Sequence, residues 1–129
     1  MEDDPSIADS TLLYRRVVPR WIVLDGNRNC HRLATGAFQN LEMSVGVGDM
    51  FDGNLPESIL EGHPEDVCLV AFETRVAREN ELAVCRDAKD DEPAHGLVVG
   101  KKTTGKQRAL ARAATWVKAP HNACVPPYE

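Results

Sequence analysis

Aromatic residues are scarce: three Phe, two Trp and two Tyr make up 5% of the chain. A stacking platform for single-stranded nucleic acid needs more than that, and the core must rest on Val, Leu, Ile and Ala. Long apolar runs are missing too. None approaches the ~18 residues of a membrane helix, so no membrane partner is expected. The opening MEDDPSIADS is acidic and has no apolar segment, unlike a signal or transit peptide. The expected location is the cytoplasm. The four cysteines, Cys30, Cys68, Cys85 and Cys124, are then expected as reduced thiols. Cys68 in VCLVAF and Cys85 in LAVCRD read as small core residues.

Acidic residues nearly vanish from the last thirty positions. Residues 1–99 hold nine Lys and Arg against nineteen Asp and Glu, whereas residues 100–129 hold six bases and one acid. The whole chain carries −5, which repels phosphate and argues against nucleic acid as a partner. At 129 residues, with 43% apolar and 27% charged residues, the chain suits one domain.

The runs TLLYRRVV (11–18), RWIVLD (20–25), EDVCLVAFE (65–73), AVCRD (83–87) and AHGLVVG (94–100) read as strands. The continuous apolar core of residues 65–73 suggests a central position. LEMSVGVGDMF reads as an irregular strand, and LPESILEGHP as one or two helical turns closed by Gly62. TRVARENEL is expected as a short helix capped by Thr74. TGKQRALARAATWVKA (104–119) is expected as one helix, with Leu110, Ala113, Ala114 and Val117 as its apolar stripe. Connectors this short favour hairpins over crossovers. The expected fold is α+β: a small single domain with a mixed, mostly antiparallel sheet and a C-terminal amphipathic helix. Residues 1–10 are expected to be disordered, 11–119 to form the domain, and 120–129 to be an extended tail.

Gly100, Gly105 and Lys106 spell G-x-x-x-x-G-K between a strand and a helix. A phosphate-binding loop follows that Lys with Ser or Thr for Mg²⁺, and Gln107 stands here instead. Only twenty-two residues follow, and their sole acid is Glu129. The better reading is a glycine turn capped by Thr103 or Thr104. Lys101, Lys102, Lys106, Arg108 and Arg112 gather around that helix start, where the macrodipole favours an anion. They are the candidate anion- or partner-binding residues. The acidic stretch KDDE (89–92) is a candidate counter-charge within the molecule.

Cys30-His31 and His121–Cys124 offer zinc-ligand types at spacings that suit no short zinc module. No metal or cofactor is expected. For catalysis, Arg15, Arg32, Ser44 and His95 are the candidates. Arg15 or Arg32 would clamp an anion, Ser44 would orient it, and His95 would act as acid or base. This alternative is a small enzyme acting on a phosphorylated or nucleotide-like ligand. It is similar to ADP-ribosyltransferases by fold-level analogy alone, with Glu73 as the single candidate glutamate. The more ordinary reading of His95 is a part-buried imidazole bonded to a loop carbonyl.

LYRRV followed by VLDGN, then R-x-x-T-x-A-F, MSV, GHP, EPAHGLVVGKKT and a terminal segment ending in WV together resemble a widespread family of small uncharacterised bacterial proteins. The resemblance spans about residues 12–118. Across 32–38 the family pattern runs Arg-Pro-Ser-Ser-x-x-Phe; Arg32, Thr35 and Phe38 fit it, while Leu33 and Ala34 depart. The resemblance implies a shared organisation and brings no activity or cofactor with it. Members share VGKK or VGDK without the full glycine motif, which implies that Gly105-Lys106 is incidental. With no complete catalytic set, the expectation is a non-enzymatic accessory protein that binds an unidentified protein partner through a basic C-terminal helix face.

Overall fold

The computed structural model describes residues 2–51 and 56–129. Among the described residues eight strands form: β1 (Leu12–Val17), β2 (Ile22–Asp25), β3 (Cys30–Leu33), β4 (Glu42–Val47), β5 (Cys68–Glu73), β6 (Ala83–Arg86), β7 (His95–Val99) and β8 (Thr115–Lys118). Two α-helices, α1 (Thr74–Glu79) and α2 (Thr104–Ala113), and several 3₁₀ turns join them. Six strands make one sheet in the order β6-β7-β4-β1-β5-β8, every neighbouring pair antiparallel. β2 and β3 pair as a separate hairpin. The α+β class is therefore as expected. β5 lies one strand in from an edge, while β1 and β4 hold the centre.

Strand alternation sorts the sheet into two faces. Leu13, Arg15 and Val17 of β1 look toward the helices, with Met43, Val45 and Val47 of β4 and Val70 and Phe72 of β5; all of these are buried. Leu110, Ala111 and Ala114 pack on this face beside Leu33, Ala37 and Phe38. Phe38 meets Phe72 edge to face, with centroids 6.0 Å apart. Tyr14 and Arg16 of β1 occupy the opposite face, which Phe51 and the 3₁₀ turn Pro56–Leu60 partly cover. Leu55, the first residue of the expected LPESILEGHP turns, lies outside the described residues. Gly62 does close this segment, at φ +79°.

Four local expectations need correction. The helix expected over 104–119 ends at Ala113. Thr115, Trp116 and Val117 are β-branched or aromatic, and they pair with β5 as an edge strand instead. Thr103 caps α2, its Oγ accepting from the Lys106 amide at 3.3 Å, whereas Thr74 caps nothing: its hydroxyl donates to the Thr11 carbonyl at 2.8 Å. Residues 2–10, expected to be disordered, are folded onto the domain. The Asp4 amide donates to the Val84 carbonyl at 2.8 Å, and Ile7 is fully buried. Cys124 is disulfide-bonded to Cys30, so two of the four expected thiols are oxidised, and only Cys68 and Cys85 are free. Around that bond the His31 amide donates to the Asn122 carbonyl, the Cys124 amide to the His31 carbonyl and the Leu33 amide to the Pro127 carbonyl.

Candidate interaction surface

Gly100 closes β7 with φ +135°, a conformation that favours glycine, and this turn sends the chain back toward the start of β4. The Gly100 amide donates to the Leu41 carbonyl at 3.1 Å. Two residues on, the Lys102 ammonium folds under the turn. It donates to the carbonyls of Val98 (2.9 Å), Gly100 (2.9 Å) and Leu41 (3.2 Å). Gln107, which took the place of the Mg²⁺-binding hydroxyl in the glycine motif, donates its side-chain amide to the Lys102 carbonyl at 2.9 Å. The glycine motif is thus a self-satisfied turn.

Arg15, on the helix face of the sheet, grips the chain on either side of Leu41. Its Nε donates to the Ala37 carbonyl at 3.0 Å, Nη1 to the Ser44 carbonyl at 2.9 Å and Nη2 to Asn40 Oδ1 at 3.1 Å. Its guanidinium stands 5.4 Å from the Trp21 ring centroid. Arg15 is 9% exposed and Lys102 7%. Neither has a carboxylate partner among the described residues. Burial, with the nearby charge of Arg16, lowers the Arg15 pKa to about 10. Burial, with the charges of Arg15 and Lys106, lowers that of Lys102 to about 8.

Outside this pair of buried cations the expected basic residues divide. Lys101, Lys106 and Arg108 form no ion pair among the described residues. Arg112 is paired with Glu129 of the C-terminal segment. Lys102, expected to be a surface contact, has its donors occupied within the fold. The acidic stretch 89–92 does not answer these charges. It precedes the first residue of β7, and Gly100–Lys102 follow the last. Five residues at ~3.4 Å each separate the two by about 17 Å.

The four catalytic candidates do not meet in one pocket. Arg15 touches Ser44 only through its main-chain carbonyl, and the two share a crevice of about 10 Å³, too small for a ligand. Arg32 belongs to the β2–β3 hairpin, where its guanidinium lies 6.0 Å from the Tyr128 ring. His95 is 4% exposed, and its Nδ1 lies 3.0 Å from the Asp87 carbonyl and 3.1 Å from the Asp87 carboxylate. Both neighbours are acceptors, so Nδ1 carries the hydrogen. Glu73 pairs with Arg75 at the surface. Cys30, His31, His121 and Cys124 do come together, His31 Nδ1 donating to the His121 carbonyl at 2.9 Å, but as a disulfide and not as thiol ligands.

Two larger clefts hold none of those four candidates. One, of about 300 Å³, opens on the face away from the helices and is lined by Arg16, Met50, Ile59, Glu61, Asp91 and Glu92 among others. Arg16 crosses its floor, donating to the Ile59 carbonyl at 2.9 Å and meeting Glu92 at 3.3 Å. The second, of about 360 Å³, lies beside the tethered C-terminal segment, between Ile22, His31, Cys68 and Lys118. Burial raises the Cys68 thiol above its ordinary value, which disfavours the reactive thiolate. Sequence reasoning missed both clefts, because their walls come from segments far apart in the chain. Among the described residues no helix is long and apolar enough to cross a membrane. In comparisons with known proteins, no family model, no curated protein and no solved structure matches this chain, so the resemblance drawn from its motifs rests on those motifs alone.

Proposed function

We propose that the chain is a non-enzymatic docking module whose surface around the start of α2 takes an acidic partner. One observation carries this reading: Lys101, Lys106 and Arg108, just before and within the start of α2, form no ion pair among the described residues, and neither do the buried Arg15 and Lys102. Most surface arginines elsewhere are matched, Arg78 by Asp3 and Asp9 and Arg86 by Asp4 and Asp49. Positive charge left unmatched beside a low-dielectric interior attracts an anion more strongly than the same charge in open solvent. Lys101 and Arg108, both exposed, extend the patch outward.

The test is capture of partners from a lysate of the source organism at low salt. It compares the wild type with Lys101→Glu/Lys106→Glu/Arg108→Glu, and uses Arg75→Glu on α1 as the control. The expected result is a stoichiometric protein that high salt releases, that the triple variant loses and that the control keeps. Identical capture by the wild type and the triple variant would overturn the proposal.

A further inference from the structure

We infer that the acidic partner is a second copy of this chain, whose acid-rimmed cleft receives the Leu41–Lys101 patch. The inference rests on the docking reading above and names its occupant. The patch offers one large apolar side chain: Leu41 is 63% exposed, although its carbonyl is pinned by Gly100 and Lys102. An exposed leucine on a backbone this restrained loses little entropy on docking, as an interface anchor requires. Lys101 follows Gly100 directly, and Lys106 lies in the first turn of α2.

The cleft of about 300 Å³ on the far face has the complementary character. Met50, 39% exposed, with Phe51, Ile59 and Pro93, supplies an apolar lining. Glu61, Asp91 and Glu92 supply carboxylates. Glu92 already offsets Arg16, while Glu61 and Asp91 form no ion pair among the described residues. Free carboxylates beside the Met50 and Ile59 side chains suit a leucine flanked by lysines.

Geometry excludes an intramolecular match. The acidic rim at Asp91 and Glu92 and the basic turn at Gly100–Lys102 lie at opposite ends of β7, about 17 Å apart. A patch that cannot reach its own cleft can reach a neighbour's. The two surfaces differ, so the contact is head to tail, and repetition gives a ring or an open chain and not an isologous dimer.

The experiment is sedimentation velocity on the full chain with its disulfide intact, over a rising concentration series. A patch variant, Leu41→Asp/Lys101→Glu/Lys106→Glu, and a cleft variant, Glu61→Lys/Asp91→Lys, are run alone and mixed. Circular dichroism confirms that each is folded. The wild type is expected to grow in mass with concentration, and each variant alone to stay monomeric. An equimolar mixture retains one working patch and one working cleft, so it is expected to form a dimer and stop there. A wild type that stays monomeric throughout, or a mixture that fails to dimerise, would sink the inference. The docking reading fails separately. If the wild type is monomeric while the triple charge variant still loses a captured acidic protein, docking stands and self-association falls. If the wild type associates and the patch variant associates equally, the α2 surface is not the contact and both fall.

Discussion

The carbonyl of Leu41 accepts from the Lys102 ammonium at 3.2 Å, across 61 residues of chain, and from the Gly100 amide at 3.1 Å. One oxygen thereby ties the start of β4 to the end of β7. Lys102→Met keeps the stem and removes the donor, leaving the Val98, Gly100 and Leu41 carbonyls without it. The expected loss is about 2 kcal/mol, the size of a buried acceptor left unsatisfied. Urea denaturation measures it, and amide exchange at Gly100 should quicken alongside. An unchanged midpoint would mean that water replaces the ammonium without cost.

The same lysine gives a pH signature. Its folded pKa lies near 8, against an ordinary value of 10.5, chiefly because burial disfavours the charge. Between those two values the unfolded chain holds a proton that the native chain has released. Stability therefore rises with pH across this window. Below about pH 8 the whole cost of the buried charge is present, and above the ordinary lysine range it is gone. The stability difference between wild type and Lys102→Met is the clean readout, because the other titrating groups cancel. That difference should be larger at pH 9.5 than at pH 7, and a ¹³Cε titration of Lys102 should show its midpoint near pH 8.

How much of this was legible in the sequence depends on the range of the contact. β1, β5 and β7 declare themselves through β-branched runs, and the start of α2 through Thr103 and the following amphipathic turns. The placement of Lys106 and Arg108 off the apolar stripe of Leu110, Ala113 and Ala114 came from the same local pattern. Lys102 did not, because nothing in GKKTTG tells which lysine folds under a turn whose acceptors include Leu41. The α2–β8 boundary was hidden because Val117 continues the helical spacing that Leu110 and Ala114 begin, and only pairing with β5 decides against it. The cleft over Arg16 needs Glu92 and Ile59, and no periodicity links those positions.

The disulfide is a further long-range feature. Cys30 and Cys124 are separated by 94 residues, so closing that loop restricts the unfolded chain by up to ~4.7 kcal/mol in the chain-entropy treatment. Cys30→Ser/Cys124→Ser is expected to lower stability by roughly half that or more. Arg28 also holds the segment, donating to the Pro126 and Tyr128 carbonyls at 2.9 and 2.8 Å, so local order should survive in part. Denaturation with and without a thiol reductant checks the first statement, and proteolysis after His121 checks the second. A reductant without effect on the midpoint would contradict the linkage.

Gly96 tests the tightness of the sheet. A Cβ there would meet Val47 Cγ2 at 2.6 Å and the Cys85 carbonyl oxygen at 2.9 Å, so both neighbouring strands are in the way. The oxygen belongs to the β6–β7 ladder and cannot rotate aside. Gly96→Ala is expected to destabilise by ~2–3 kcal/mol, as overpacking does. Gly26, in the β2–β3 turn, has nothing within 4 Å, and Gly26→Ala should be near neutral. A thermal melt that ranks the two alike would show that β6 yields.

The N-terminal segment shows how a lone apolar residue can be decisive. Ile7 is the only branched aliphatic residue among the first ten, and it is fully buried. Its neighbours hold the segment against β6 and α1. The Val84 amide donates to Asp3 Oδ1 at 2.9 Å, and Arg78 reaches Asp3 at 3.2 Å and Asp9 at 2.7 Å. These ion pairs are partly or largely exposed, so Asp9→Ala should cost under ~1 kcal/mol. Ile7→Ala removes buried methyl groups from a packed core and should cost ~2–4 kcal/mol. Urea midpoints for the two variants test the ranking. If Asp9→Ala proves the more damaging, charge and not burial holds the segment down, and added salt should then loosen it in the wild type as well.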